Sequence, residues 1–108
     1  HHATIFIGVP TIYRQLIQKT TATQADIPSL RHYMSAGEHL SDEVLEQWRT
    51  RFGLDIYEAV GMSEFSYYLS QSKYRPIRPG SAGFPQPGHD VQLLNPETLE
   101  PVPVGEEG

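Results

Sequence analysis

The chain has 108 residues, with 13 acidic and 8 basic side chains and a formal net charge of −5. That length suits one compact unit with a modest core, and the acidic balance argues against a basic nucleic-acid groove. The absence of cysteine excludes a disulfide scaffold, a thiolate metal site and a Cys nucleophile, and no apolar run approaches the roughly 20 residues of a membrane span.

Ala3–Gly8 is a β-branched and aromatic run that predicts a buried strand. Pro10 suits the first turn of a helix, and Ile12, Tyr13, Leu16 and Ile17 fall on one helical face. Thr20–Ala25 is polar and turn-like, and Leu30–Ser35 predicts a second strand. The next helix has the fullest signature. Ser41 is a good N-cap, Asp42 and Glu43 occupy the positive first turn, and Gly53 supplies the left-handed stop. Leu40, Val44, Leu45, Trp48 and Phe52 form its apolar stripe, so Trp48 belongs to the core. Leu54–Val60 predicts a third strand and Phe65–Ser70 a further one. Strand, helix, strand, helix, strand with short loops predicts an α/β fold, a parallel βαβαβ sheet piece.

From Pro76 the helical period disappears. Arg78–Gly88 is dense in turn residues, Asp90–Leu94 predicts a strand, and Pro101–Gly108 is exposed and acidic. A boundary is therefore expected near residue 77, with an α/β segment at 1–77 and the start of a β-rich subdomain at 78–108. The strand expected at 90–94 has no evident partner after it, which suggests a segment excised from a larger domain. No secretory signal pattern opens the chain. With the lack of cysteine, this makes a reducing, cytoplasmic setting the expectation.

Ligands of parallel α/β sheets sit outside the carboxyl ends of the strands. Two loops are expected there, facing each other across one crevice if their strands are neighbours. In Ser35-Ala36-Gly37-Glu38-His39, small residues let a flat ligand approach the backbone. The same residues also suit an ordinary strand-to-helix turn. In Gly61-Met62-Ser63-Glu64, Gly61 permits a sharp turn off the strand and the Ser63 hydroxyl can donate to a phosphate oxygen. Glu64 offers a hard oxygen for magnesium, which takes one or two carboxylates plus substrate phosphates. A turn with a surface Glu and a capping Ser accounts for these residues equally well. Of Tyr67 and Tyr68, which follow, one is expected to face the core and the other the crevice. His32, His39 and His89 lack metal-ligand spacing. No nucleophile elbow and no phosphate loop ending in Gly-Lys-Ser/Thr is present.

Three motifs in order then resemble the adenylate-forming superfamily of acyl- and aryl-CoA synthetases, peptide-synthetase adenylation domains and firefly-type luciferases. Ser35-Ala36-Gly37-Glu38-His39-Leu40 resembles its adenine loop, Gly61-Met62-Ser63-Glu64 its Gly-x-Ser/Thr-Glu motif, and Arg78–Gly88 its Pro-Gly-Ser-x-Gly-x-Pro-x-Pro-Gly segment. The resemblance spans essentially the whole chain. Within the superfamily it is most similar to acyl-CoA synthetases near the benzoate-CoA ligase group. Where relatives commonly carry a Tyr that stacks on adenine, this chain has Val60, and His39 stands at a common Pro position.

The resemblance implies an acid-thiol ligase. A carboxylate attacks the α-phosphate of ATP to give an acyl-adenylate and pyrophosphate, and coenzyme A then displaces AMP. It implies that Gly37, Glu38, His39, Gly61, Met62 and Ser63 bind ATP or AMP. Ala36, Gly61 and Tyr67 would meet the acid, Ser63 and Glu64 would serve the chemistry, and Glu64 would hold Mg2+. The family's upstream phosphate loop, its Thr-Gly-Asp motif and its C-terminal lysine have no counterpart in these 108 residues, so the isolated chain is expected to be inactive. An adenylation domain loading a carrier protein, and a non-catalytic α/β nucleotide-binding or interaction module, are the competing expectations. A homo-oligomer is left open, as is the identity of the acid.

Overall fold

The computed structural model describes residues 1–108. Eight elements follow in order: strand β1 (Ile5–Gly8), helix α1 (Pro10–Lys19), a single 3-10 turn (Gln24–Asp26), strand β2 (His32–Ala36), helix α2 (Asp42–Phe52), and strands β3 (Ile56–Met62), β4 (Ser66–Ser70) and β5 (Phe84–Pro85). The sheet runs β1-β2-β3-β4-β5. Its first three strands are parallel, and β4 and β5 add antiparallel. The expected α/β architecture is present, with an antiparallel extension that joins the 84–85 segment to the same sheet.

Local chemistry accounts for the helices. Pro10 opens α1, where its missing N–H costs nothing, and the chain leaves at Thr20, whose N–H and hydroxyl both donate to the Leu16 carbonyl. The Ser41 hydroxyl accepts the Val44 N–H, Asp42 and Glu43 sit at the positive end of α2, and Gly53 ends it at φ 69°.

Both helices lie against one face of the sheet. Trp48 stacks on Phe52 with ring centroids 4.0 Å apart and meets Tyr13 and Tyr33 edge-on at 4.8 and 5.2 Å. Tyr13, Tyr33, Leu40, Val44, Leu45, Trp48, Phe52 and Ile56 form the buried cluster. Each such aromatic pair adds about 0.5–1.5 kcal/mol beyond the area it removes from water. The Tyr13 hydroxyl donates to the Met34 carbonyl at 2.6 Å, which pins α1 to the middle of β2.

Several expectations need correction. β1 is buried on one face only. Phe6 packs into the core, while Ile5 and Ile7 are about half exposed, because the helices cover a single side of this edge strand. Ile12 is exposed, since Tyr13 turns inward and takes Leu16 and Ile17 with it. The 90–94 strand does not form. Only Leu94 bridges to Pro101, because no neighbouring strand supplies the ladder a strand needs. Neither Tyr67 nor Tyr68 is buried, since no second layer covers this part of β4. β3 runs on through Gly61 and Met62, two residues assigned above to a loop, because β4 folds back along them and continues the ladder.

Candidate functional site

β2 and β3 are adjacent and parallel, with Ser35 beside Glu58 and Ala36 beside Ala59. The loop that follows β2 and the tip of β3 therefore stand side by side at the carboxyl ends, as expected. Ala36 is the last residue of β2, and Gly37 turns the chain at φ 91°. Glu38 and His39 are exposed on the rim. The Thr11 hydroxyl at the start of α1 donates to Glu38 Oε2 at 3.2 Å, tying this loop to the first crossover.

Leu40 closes the loop into the core, and Glu58 holds it there. The Glu58 side chain points from β3 to the helix-covered side and is 7% exposed. Its Oε1 accepts the Leu40 backbone N–H at 3.0 Å and lies 3.3 Å from His39 Nδ1. This carboxylate was missed in the sequence. Its signal was a Glu in phase with Ile56 on an otherwise apolar strand, a position that needs a partner once buried.

The second loop is a hairpin tip. Gly61 and Met62 end β3, Ser63, Glu64 and Phe65 make the turn, and Ser66 begins β4 at φ 59°. Gly61 is required for a reason other than a left-handed turn. A Cβ there would lie 2.8 Å from Tyr67 Cα and closer still to the Ser66 carbonyl oxygen, so the return strand can pass only over a glycine. The ladder shifts register between Val60 and Gly61, which pairs Gly61 with Tyr67. Ser63 and Glu64 are exposed, and Met62 and Tyr67 are partly so at 47% and 38%.

Glu64 has no ion-pair partner in the chain, and no cluster of three or more metal-ligating side chains exists. A lone exposed carboxylate fits a magnesium ion whose other ligands are phosphate oxygens and water, and does not fit an all-protein metal cage. A wide concavity of about 910 Å³ lies elsewhere. It opens on the uncovered face of the sheet beside Ile5, His32 and Met34. None of the candidate residues of the two loops lines this cleft. His32 in the cleft is stacked on Tyr57, and partial burial with Lys73 and Arg31 nearby pushes its pKa down.

The family model described as AMP-binding enzyme matches residues 1–108. The mitochondrial acyl-coenzyme A synthetase ACSM3 of Mus musculus is 43% identical over 105 residues, which are 97% of this chain and 18% of that protein. A benzoate CoA ligase from Burkholderia xenovorans LB400 superposes with TM-score 0.89 at 33% identity, over 98% of this chain and 22% of that one. The anthranilate CoA ligase AuaEII, solved with anthranoyl-AMP, gives TM-score 0.86 at 36% identity over 95% and 20%. The chain thus spans about a fifth of the length of these relatives.

Proposed function

As a member of the AMP-binding enzyme family, this chain is, we propose, the nucleotide- and acid-facing part of an AMP-forming acyl- or aryl-CoA ligase. The observation that carries the reading is the adjacency of the 35–40 loop and the 61–64 hairpin at neighbouring parallel strand ends. Relatives named as acyl-coenzyme A synthetase and benzoate CoA ligase support it.

In this reading ATP lies across the two strand ends. Gly37, with no side chain to obstruct it, lets the adenine rest on the Glu38–His39 backbone, and Val60 offers an aliphatic surface in place of a stacking ring. The Ser63 hydroxyl donates to a phosphate oxygen. Glu64 would hold Mg2+ at the hairpin tip, where the ion would supply positive charge to offset that of the phosphates. The acid's carboxylate oxygen attacks the α-phosphorus and pyrophosphate departs. The rest of the chain's contribution is orientation: a rigid sheet sets the two loops at one spacing, which favours attack in line. Ala36, Gly61 and Tyr67 face the acid, and Met62, Phe65 and Tyr68 give that side an apolar or aromatic wall. Coenzyme A accepts the acyl group in the second step.

The test is carboxylate-dependent ATP–pyrophosphate exchange by the full-length enzyme, with Glu64→Ala beside it. Exchange that requires an acid and collapses in the variant supports the assignment. Well-folded enzyme that exchanges with no aliphatic or aromatic acid refutes it in favour of a non-catalytic module. The 108-residue chain by itself is expected to form no acyl-CoA, and turnover by it would overturn that part.

A further inference from the structure

We propose that Gln71 is a positioning residue for the 37–40 loop, acting through the Arg78–Ser81 turn; this rests on the nucleotide-binding reading above. Gln71 follows β4 and is 5% exposed. Its backbone N–H donates to the Glu58 carbonyl at 2.8 Å. It is thereby anchored to the residue whose carboxylate holds Leu40. Its side-chain amide donates to two carbonyls of the third motif, Ser81 at 2.8 Å and Arg78 at 3.3 Å.

The turn held this way faces the start of α2 across a small shared cavity. Leu40, Asp42, Glu58, Gln71, Arg78 and Ser81 share the lining of one small cavity of about 10 Å³. Gly83 lets the segment lie flush, since any Cβ there would run into the Ser70–Gln71 backbone. One buried glutamine thus references the third motif to β3 and sets it behind the loop that Glu58 holds from within.

The Gln71 Oε1 is buried with no partner. An unpaired buried carbonyl is unfavourable, and a leucine of similar size would avoid it. The two carbonyls that its NH2 group holds account for an amide at this position. When the amide is lost, the 78–81 turn is free to move away from α2 and Leu40 loses its outer support.

The experiment uses the full-length enzyme with Gln71→Leu and Gln71→Glu. It measures KM for ATP and kcat in acid-dependent exchange, ATP Kd by calorimetry, and hydrogen exchange at the Leu40 amide. Gln71→Leu is expected to raise KM and Kd for ATP about tenfold with kcat within about twofold, the scale on which a supporting contact acts. Leu40 N–H protection falls while that of Ile7 in β1 is unchanged. In Gln71→Glu, the protonated carboxyl can donate to the Ser81 carbonyl and the ionised one cannot. Its ATP KM, relative to wild type at the same pH, should therefore fall back as pH drops, whereas the Gln71→Leu ratio stays flat. This pH contrast also serves if Gln71→Leu fails to fold. Variants that melt earlier but bind ATP and protect Leu40 as wild type does would overturn the proposal. Wild-type enzyme that binds ATP yet shows no exchange would refute the ligase reading alone, and the Kd and Leu40 data would still decide the role of Gln71. Wild-type enzyme that binds no ATP would refute both.

Discussion

Glu58 and Leu40, 18 residues apart, are joined by a carboxylate-to-amide hydrogen bond of 3.0 Å inside the fold. Leu40 stands at the end of one motif loop, and Glu58 lies three residues before Gly61, where the other motif begins. The bond satisfies a buried backbone donor just before the α2 N-cap and gives a buried carboxylate one of the contacts it needs. The spacing between the two candidate nucleotide loops therefore depends on a side chain that belongs to neither motif.

Glu58→Ala leaves the Leu40 N–H buried without an acceptor, at a cost of about 1–3 kcal/mol. Glu58→Gln keeps a carbonyl acceptor in place and is expected to cost less. Thermal unfolding of the full-length variants should rank them wild type, then Gln, then Ala. Equal melting of the two variants would show that this contact does not hold the loop.

Glu64→Ala should behave in the opposite way. The side chain is exposed and unpaired, so stability should change by no more than about 0.5 kcal/mol. Acid-dependent exchange should fall about a hundredfold, equivalent to about 3 kcal/mol of lost transition-state stabilisation. A magnesium titration separates the outcomes, because loss of a metal ligand raises the half-saturating concentration. An unchanged titration would place the metal elsewhere.

Gly61→Ala should be far more harmful than Gly53→Ala. At Gly53 only the left-handed φ of 69° is violated, and a Cβ meets nothing within 4 Å, for a penalty of about 1–2 kcal/mol. At Gly61 the Cβ collides with the backbone of the returning strand, which cannot move without breaking the β3–β4 ladder. Soluble yield and melting temperature should both separate the two variants. A Gly61→Ala enzyme as stable as Gly53→Ala would place the hairpin backbone differently.

Burial, with Tyr33 close by, pushes the Tyr13 phenol well above its ordinary value of 10.0. The folded state therefore keeps a proton that the unfolded chain releases near that pH. The associated stability is complete below about pH 10 and declines as pH rises beyond it. Tyr13→Phe removes the donor to Met34 at about 1 kcal/mol near neutral pH. It should also make the alkaline loss of stability shallower, though not flat, since burial raises Tyr33 and Tyr57 as well. Denaturant unfolding between pH 8 and 11 checks the slope (about one proton per group lost). An identical slope in both proteins would refute the assignment.

Helix α2 was legible residue by residue. Its cap, its charged first turn, its stop and all five stripe residues are where the pattern put them, because caps and helical spacing are local properties. The alternation of strands and helices was legible for the same reason. Strand ends were less so: β3 extends through Gly61 and Met62 because β4 pairs with it, and the 90–94 run makes only the Leu94–Pro101 bridge because no strand lies along the rest of it. Pairing is a property of two segments, and a single run carries only half the information.

The candidate site divides along the same line. Linear order alone picked out the two candidate loops and the third motif, since the candidate residues of each loop are contiguous: Ala36 to His39, and Gly61 to Glu64. Only the folded chain showed that Gly61 is needed for a backbone passing over it, that Thr11 reaches Glu38, that Glu58 holds Leu40, and that Gln71 holds Arg78 and Ser81. A hydrogen bond between distant residues leaves no periodicity in sequence. Whether a Glu or a Gln is solvated or buried against a backbone partner is decided by which strands become neighbours.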